Sequence, residues 1–282
     1  MGGECFYAEV RPLPRHQSLV DHLYLLRDCG RLTGPGKRVF ASPFQEIRFS
    51  LVPFPDPGAA APWRGHRVSP SFGSKIRNRP FHGWLIGLRF SPFSGLAVPN
   101  DVLPIDQLAG LLPPDPTADG LVLALDTCLD RLAAVAQGTS TVSPIPATVP
   151  GLAAILGVSS RTAQRRIAAR TGLTPKRWLS LVRFRKAVQD LALSDDGLAG
   201  LAVDCGFADQ AHLSAEMTRH AGLPPSRFRT MARRGAQRHS VRFFQEEPVR
   251  SRIRLLLSDP TQPERPQHDV LHHGVPAKGP GL

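Results

Sequence analysis

The sequence predicts an α+β chain, β-rich in its first part and all-α in its second. Three observations carry that prediction. Short apolar or alternating runs punctuated by Gly/Pro clusters fill roughly the first 110 residues. Helical periodicity replaces them from Thr117 onward. Two stretches, beginning at Gly151 and Gly197, then repeat one helix–break–helix pattern.

In the first part, Phe6–Val10, Leu19–Leu26, Val39–Phe40, Ile47–Val52 and Trp84–Phe90 read as strands. The turn clusters GPGK, PFPDPG and RVSPSFGS separate them. Many short strands of this kind suggest a small barrel or sandwich over residues 1–116, of which a small β-barrel, cupin-like domain is the expected form. Residues 117–150 read as a helix and a linker. Leu121, Leu125, Cys128, Leu132 and Val135 recur at helical spacing, a stripe that either docks on its own domain or forms a short dimer seam. Gln137–Pro150 is polar and proline-bearing, as a linker is. Residues 151–234 read as nearly continuous helices. Residues 235–282 read as a basic, largely disordered tail, in which Phe243–Phe244 and Ile253–Leu257 are the segments able to dock locally.

The 282 residues carry 35 Lys+Arg against 23 Asp+Glu, a formal +12, and pI is near 10.7. Such an excess suits a polyanionic partner. It is concentrated: residues 146–234 hold 14 Lys/Arg and 6 Asp/Glu. Cys5, Cys29, Cys128 and Cys205 form no CxxC pair, which argues against a zinc ribbon, a dithiol redox site or a disulfide scaffold; reduced, packed thiols are expected. His16, His22, His66 and His82 supply no HxH or HxxxH pair, so no metal site is expected. No GxSxG elbow occurs, and neither enzymatic activity nor a cofactor is expected. No run is apolar enough to span a bilayer and no signal-peptide core opens the sequence, so a cytoplasmic protein without membrane attachment is expected.

The repeat is the most informative feature. Residues 151–175 read GLAAILGVSSRTAQRRIAARTGLTP and residues 197–225 read GLAGLAVDCGFADQAHLSAEMTRHAGLPP. Their Gly-Leu-x-Pro endings, at Gly172 and Gly222, lie 50 residues apart. In the first unit Gly157 permits a tight turn and Ser159 caps the second helix. Val158, Ala163 and Ile167 then face inward, leaving Ser160, Arg161, Gln164 and Arg165 outward near the helix start. A helix in the major groove reads base edges from its N-terminal half, with Arg suited to guanine and Gln to adenine. In the second unit Gly206 turns, Asp209 caps, and Phe207, Leu213 and Met217 face inward. Gln210, Ala211, His212 and Ser214 are left as base-reading candidates.

Between the units, residues 175–193 form one helix with Trp178, Leu181, Phe184, Val188 and Leu191 inward. About 18 residues rising about 1.5 Å each span about 27 Å. That approaches the roughly 34 Å between successive major-groove faces of B-DNA. Arg166, Arg170, Lys176, Arg177, Arg183, Arg185 and Lys186 are candidates for phosphate contacts.

The segments LAAILGVSSRTAQRRI…GLTPKRWLSLVRFRKAV and LAVDCGFADQAHLS…GLPPSRFR resemble the AraC/XylS family of transcription regulators, over near one-third of the chain. The resemblance implies a seven-helix DNA-binding domain, often preceded by a β-barrel domain for effector binding or dimerisation. It implies duplex DNA as partner, read across two consecutive major grooves over about 17–20 base pairs. A small-molecule effector, RNA polymerase and a second copy of the chain are the other implied partners. HGWLIGLRFSPFSGLAVPNDVLPIDQLAG also looks like the N-terminal domain of one AraC-type subgroup. Two departures stand out. Ala215–Glu216–Met217 replaces the family's usual Arg, variable residue and Phe, so the first unit is expected to carry most of the readout. Arg166 stands where the family is usually apolar. The family's opening helix is not evident within Thr139–Pro150, which makes Leu121–Ala136 the candidate for it. A methyl-accepting repair regulator would need a cysteine-rich zinc module that Cys5 and Cys29 alone cannot build. A basic protein that binds acidic partners without sequence preference would be told apart by salt dependence and competition with unrelated DNA.

Overall fold

Strand alternation dictates a sheet with two unlike faces. In FYAEV, Phe6, Ala8 and Val10 point one way and Tyr7 and Glu9 the other. The computed structural model describes residues 5–30, 32, 38–39, 41–51, 63–68, 75–76, 81–90, 104–135, 146–233 and 244–258. Strands β1 (Phe6–Val10), β2 (His22–Cys29), β3 (Arg38–Val39), β4 (Gln45–Leu51), β5 (Arg64–Val68), β6 (Lys75–Ile76), β7 (His82–Phe90) and β8 (Ile253–Ser258) form two sheets. The larger has the order β5-β4-β7-β2-β1-β8, every neighbour antiparallel; β3 pairs with β6.

This sheet is open, ending on β5 and β8. The expected closed, cupin-like barrel is therefore corrected. The edge of β1 that closure would use is taken by β8, a strand from the far end of the described chain, and helices cover the faces. β5, β6 and β8 lie outside the predicted strands. Arg64–Val68 is too polar to read as a strand, and its last two residues opened a stretch taken for a turn.

On one face Phe6, Val10, Leu25, Phe49, Ile86 and Leu88 share a core with helix α2 (Ala118–Val135). Helix α1 (Ile105–Ala109) covers β5. Leu121, Leu125, Cys128 and Leu132 are fully buried against the sheet, each leucine contributing about 1.5–3 kcal/mol. The helical stripe is thus spent on its own domain. The described part of Leu121–Ala136 lies in α2 and packs on the sheet, and among the described residues the helical part begins with α3 (Val149–Ile155).

The helical part continues with α4 (Ser160–Thr171), α5 (Pro175–Leu193), α6 (Leu198–Asp204), α7 (Gln210–Ala221) and α8 (residues 225–233). Part of the stretch expected as a disordered tail is ordered. α9 (Glu247–Arg250) and β8 follow Phe244, which is fully buried and meets Phe6 edge-on at 5.7 Å. No helix among the described residues is long and apolar enough to cross a membrane.

The cysteine expectation is also corrected in part. Cys5 and Cys29 form a disulfide, with Cα atoms 6.2 Å apart. Their separation of 24 residues hides what the register Phe6↔Arg27 creates, since antiparallel pairing brings the start of β1 to the end of β2. Cys128 and Cys205 are free and buried, and burial pushes both thiols up to about 12.

Candidate nucleic-acid interface

Each repeat builds a short helix, a glycine turn and a capped second helix. In the first, Thr148 caps α3 by accepting from the Gly151 N–H at 3.2 Å. Gly157 takes φ +60°, a left-handed turn that a side chain would strain. Ser159 accepts from the Thr162 N–H at 3.2 Å and starts α4. Ala163 and Ile167 are fully buried, Ile167 among Leu152, Trp178, Leu179 and Val182. Val158, expected inward, is half-buried. Ser160, Arg161, Gln164 and Arg165 are exposed together on the N-terminal half of α4, with Arg166 and Arg170 exposed further along.

The second unit repeats this geometry. Gly206 takes φ +80°, and Asp209 accepts from the His212 N–H at 2.7 Å to start α7. Phe207, Leu213 and Met217 are buried. Gln210, Ala211 and His212 are exposed and Ser214 half-buried. The Ala208 N–H donates to His212 Nδ1 at 3.3 Å, which leaves Nε2 as the donor of the neutral ring.

The departure at 215–217 has a packing explanation. Ala215 is exposed, Met217 fills the core, and Glu216 turns inward. Its carboxylate accepts from the Ser180 hydroxyl of α5 and lies 3.3 Å from His220 Nε2. Burial opposes charge on Glu216, but Ser180, His220 and Arg219 hold its carboxyl below the usual range. This Ser180–Glu216–His220 contact locks α7 to α5. The available signal was Glu216's place on the inward stripe of α7, three residues after Leu213.

The phosphate candidates divide. Arg166, Arg170, Lys176, Arg177 and Lys186 are exposed, Lys186 bridging to Asp190 at 2.7 Å. Arg183 is half-buried, its guanidinium 6.0 Å from the Phe207 ring centre. Arg185 is buried, and its Nη1 donates to Glu9 Oε1 at 2.6 Å while Nη2 pairs with the other carboxylate oxygen. Its candidacy for phosphate contact is therefore withdrawn. Position 185 falls on the turn of α5 that faces the sheet.

That polar face of the sheet joins the two parts. Arg89 donates to Tyr7 Oη, Glu46 and His22 Nε2 at 3.0, 3.0 and 3.1 Å. His22 Nδ1 in turn donates to Asp21 at 2.6 Å. Burial, reinforced by Arg185, lowers His22 to about 4, so the ring is neutral at neutral pH. Burial alone would raise Glu9, yet Arg185, His22 and Arg89 hold it well below the carboxylate range. Nearby, the segment 41–45 grips both helix-turn-helix units. The Ala41 N–H donates to the His220 carbonyl at 3.2 Å, the end of α7. Gln45 Nε2 donates to the Arg170 carbonyl at 3.0 Å, the end of α4, and Trp178 Nε1 donates to the Pro43 carbonyl at 3.2 Å. Sequence reasoning missed these pairings, because nothing local marks a residue whose partner lies 43 to 82 positions away, as around Arg89, or more than 100, as for Gln45–Arg170 and Trp178–Pro43.

Among the described residues one group has metal-ligand proximity, Cys5, Asp28 and Cys29, but its two sulfurs are joined to each other. His16, His22, His66 and His82 do not converge: His16 and His22 are buried beside carboxylates, and the other two are exposed.

Residues 152–231 match a family model described as a helix-turn-helix domain. The transcriptional activator RhaS of Escherichia fergusonii is 42% identical over 72 residues, 26% of this chain and 26% of that protein. RhaS of Klebsiella pneumoniae is 39% identical over 74 residues, 26% of this chain and 27% of its own. Among solved structures, the DNA-binding domain of the transcriptional factor AdpA in complex with a target DNA is 34% identical, covering 29% of this chain and 75% of that one, with a TM-score of 0.27. The chain thus spans about a quarter of the length of the curated relatives it matches.

Proposed function

We propose that this chain, whose residues 152–231 belong to the AraC/XylS family of helix-turn-helix domains, is a transcription regulator that reads two consecutive major grooves of duplex DNA. One observation carries the reading: two copies of one unit each present a capped helix whose inner face is buried and whose N-terminal half is exposed. Ser160, Arg161, Gln164 and Arg165 are the base-reading group of the first unit, and Gln210, Ala211, His212 and Ser214 that of the second. The first carries most of the readout, since Ala215 and the inward Glu216 leave α7 with few cationic groups. Arg166, Arg170, Lys176, Arg177 and Lys186 supply phosphate contacts, Arg183 less so given its burial.

We take residues 1–116 as the sheet domain, 117–150 as a helix and linker and 151–234 as the reading domain, with α2 and β8 joining the sheet domain through its core and its edge. The sheet domain answers to a small-molecule effector, and its contacts with α5 and the ends of α4 and α7 give that answer a route. Action on the chromosome places the protein in the cytoplasm, with RNA polymerase and a second copy of the chain as further partners.

The test is selection of duplexes from a random pool by the full chain, followed by competition against bulk DNA at moderate salt. A consensus containing two half-sites supports the reading. Arg165→Ala should then weaken the selected site by about 1–3 kcal/mol and random DNA by less. Absence of any selected sequence would return the protein to the class of basic proteins that bind acidic partners indiscriminately.

A further inference from the structure

The strand that closes the described chain belongs to two bodies at once. β8 pairs through its backbone with β1, from Phe6↔Ser258 to Val10↔Ile253, with an irregularity at Glu9/Val10. Its side chains alternate between the two faces. Leu256 enters the core that the sheet shares with α2. Leu255 and Leu257 enter the core of the second reading unit, alongside Phe184, Leu191, Leu213 and Met217. The helical domain is therefore an insertion: the chain leaves the sheet after α2, builds both reading units, and returns to the sheet it left.

The returning segment is tied down on the sheet side. The Gln245 N–H donates to Asp119 of α2 at 2.8 Å. Arg252 makes a paired contact with Asp126 of α2 at 2.7 and 2.9 Å, and its Nε donates to the Arg11 carbonyl at 2.8 Å. On the helical side, the buried Arg185–Glu9 pair fixes α5 to the strand beside β8. Glu9 lies opposite Leu255 in the ladder, so the ion pair and the leucines act on α5 from neighbouring positions.

None of these groups belongs to the exposed face carrying Arg161, Gln164, Arg165, Gln210 and His212. They hold the reading units from behind. We propose that residues 244–258 are a strap by which the sheet holds the second reading unit, so that loosening it weakens DNA binding without changing any DNA-facing residue. The proposal rests on the DNA-binding reading for its second clause only; the first is measurable without DNA.

The test uses three full-length variants. Leu255→Ala combined with Leu257→Ala empties the strap's helical side. Arg252→Gln releases its sheet side without touching the second unit. Glu9→Gln keeps shape while removing the charge that faces Arg185, and it serves if the double variant fails to fold. Hydrogen exchange reports on α6 and α7, and the DNA probe is the duplex that the unaltered chain selects from a random pool. The strap predicts at least a threefold loss of protection in α6 and α7 for Arg252→Gln, with β2 and β7 unchanged. It predicts at least fivefold weaker binding of the probe for all three. If β8 loses protection in Arg252→Gln while α6 and α7 keep theirs, β8 is only an edge strand and the proposal falls. Should α6 and α7 loosen while the probe binds as before, the coupling to DNA is refuted. If the unaltered chain selects no duplex, the DNA-binding reading fails, and the exchange data still decide the strap.

Discussion

Replacing Ile167 by Ala probes how the first helix-turn-helix unit is held. Ile167 is fully buried in a small cluster with Leu152, Trp178, Leu179 and Val182, separate from the larger core around α7 that β8 completes. The change deletes three carbons, about 2.4 kcal/mol at about 0.8 kcal/mol per methylene. The cavity left behind raises the cost to about 3 kcal/mol, inside the roughly 2–5 kcal/mol range of such truncations. Because so few side chains surround the site, the loss should stay local to α3 and α4. Hydrogen exchange is the suitable assay, since about 3 kcal/mol corresponds to a protection loss of about two orders of magnitude in those helices. α7 and the central strands should hold, and binding to a selected duplex should weaken through the first unit. A loss below about 1 kcal/mol would refute the separate-core reasoning. So would a loss of equal size in the sheet.

Other expectations can be checked on the same protein. Ser159→Ala and Asp209→Ala each remove an observed helix cap and should cost about 1 kcal/mol, read as a lower midpoint in urea. His22 is lowered in the fold from 6.5 to about 4, so between those values the unfolded chain binds more protons and stability falls as pH drops. The expected loss is roughly 3 kcal/mol, and His22→Gln should flatten that part of the pH profile unless the ring titrates normally. In denaturant without reductant, a thiol reagent should count two thiols per chain, from Cys128 and Cys205, and four after reduction. Four before reduction would remove the Cys5–Cys29 bridge from the account.

Local signals carried a large part of this structure. The glycine turns, the Ser159 and Asp209 caps and the inward residues Ile167, Leu213 and Met217 follow from helical periodicity and capping chemistry, which act within a few residues. β1 was legible for the same reason, its alternation being strict. What the sequence left hidden depends on distant pairing. Glu9 reads as one charge in a strand until Arg185 is seen beside it. Arg185 reads as one more phosphate candidate until α5 is seen to face the sheet. Leu255–Leu257, apolar without alternation, gave no sign that Leu255 and Leu256 serve different cores. Cys5 and Cys29 needed the strand register to become a pair. Closure of the barrel was expected from many short Gly/Pro-punctuated strands and from the family resemblance, and neither says where β8 comes from.

On the proposed function, one chain sets α4 and α7 into consecutive major grooves. The most direct measurement inserts half a helical turn, about 5 base pairs, between the half-sites of the selected duplex. α5 and its locks to α7 and the sheet leave the units no freedom to follow, so affinity should fall to that of a single half-site. Unchanged affinity on the lengthened duplex would mean that α4 and α7 do not engage it together.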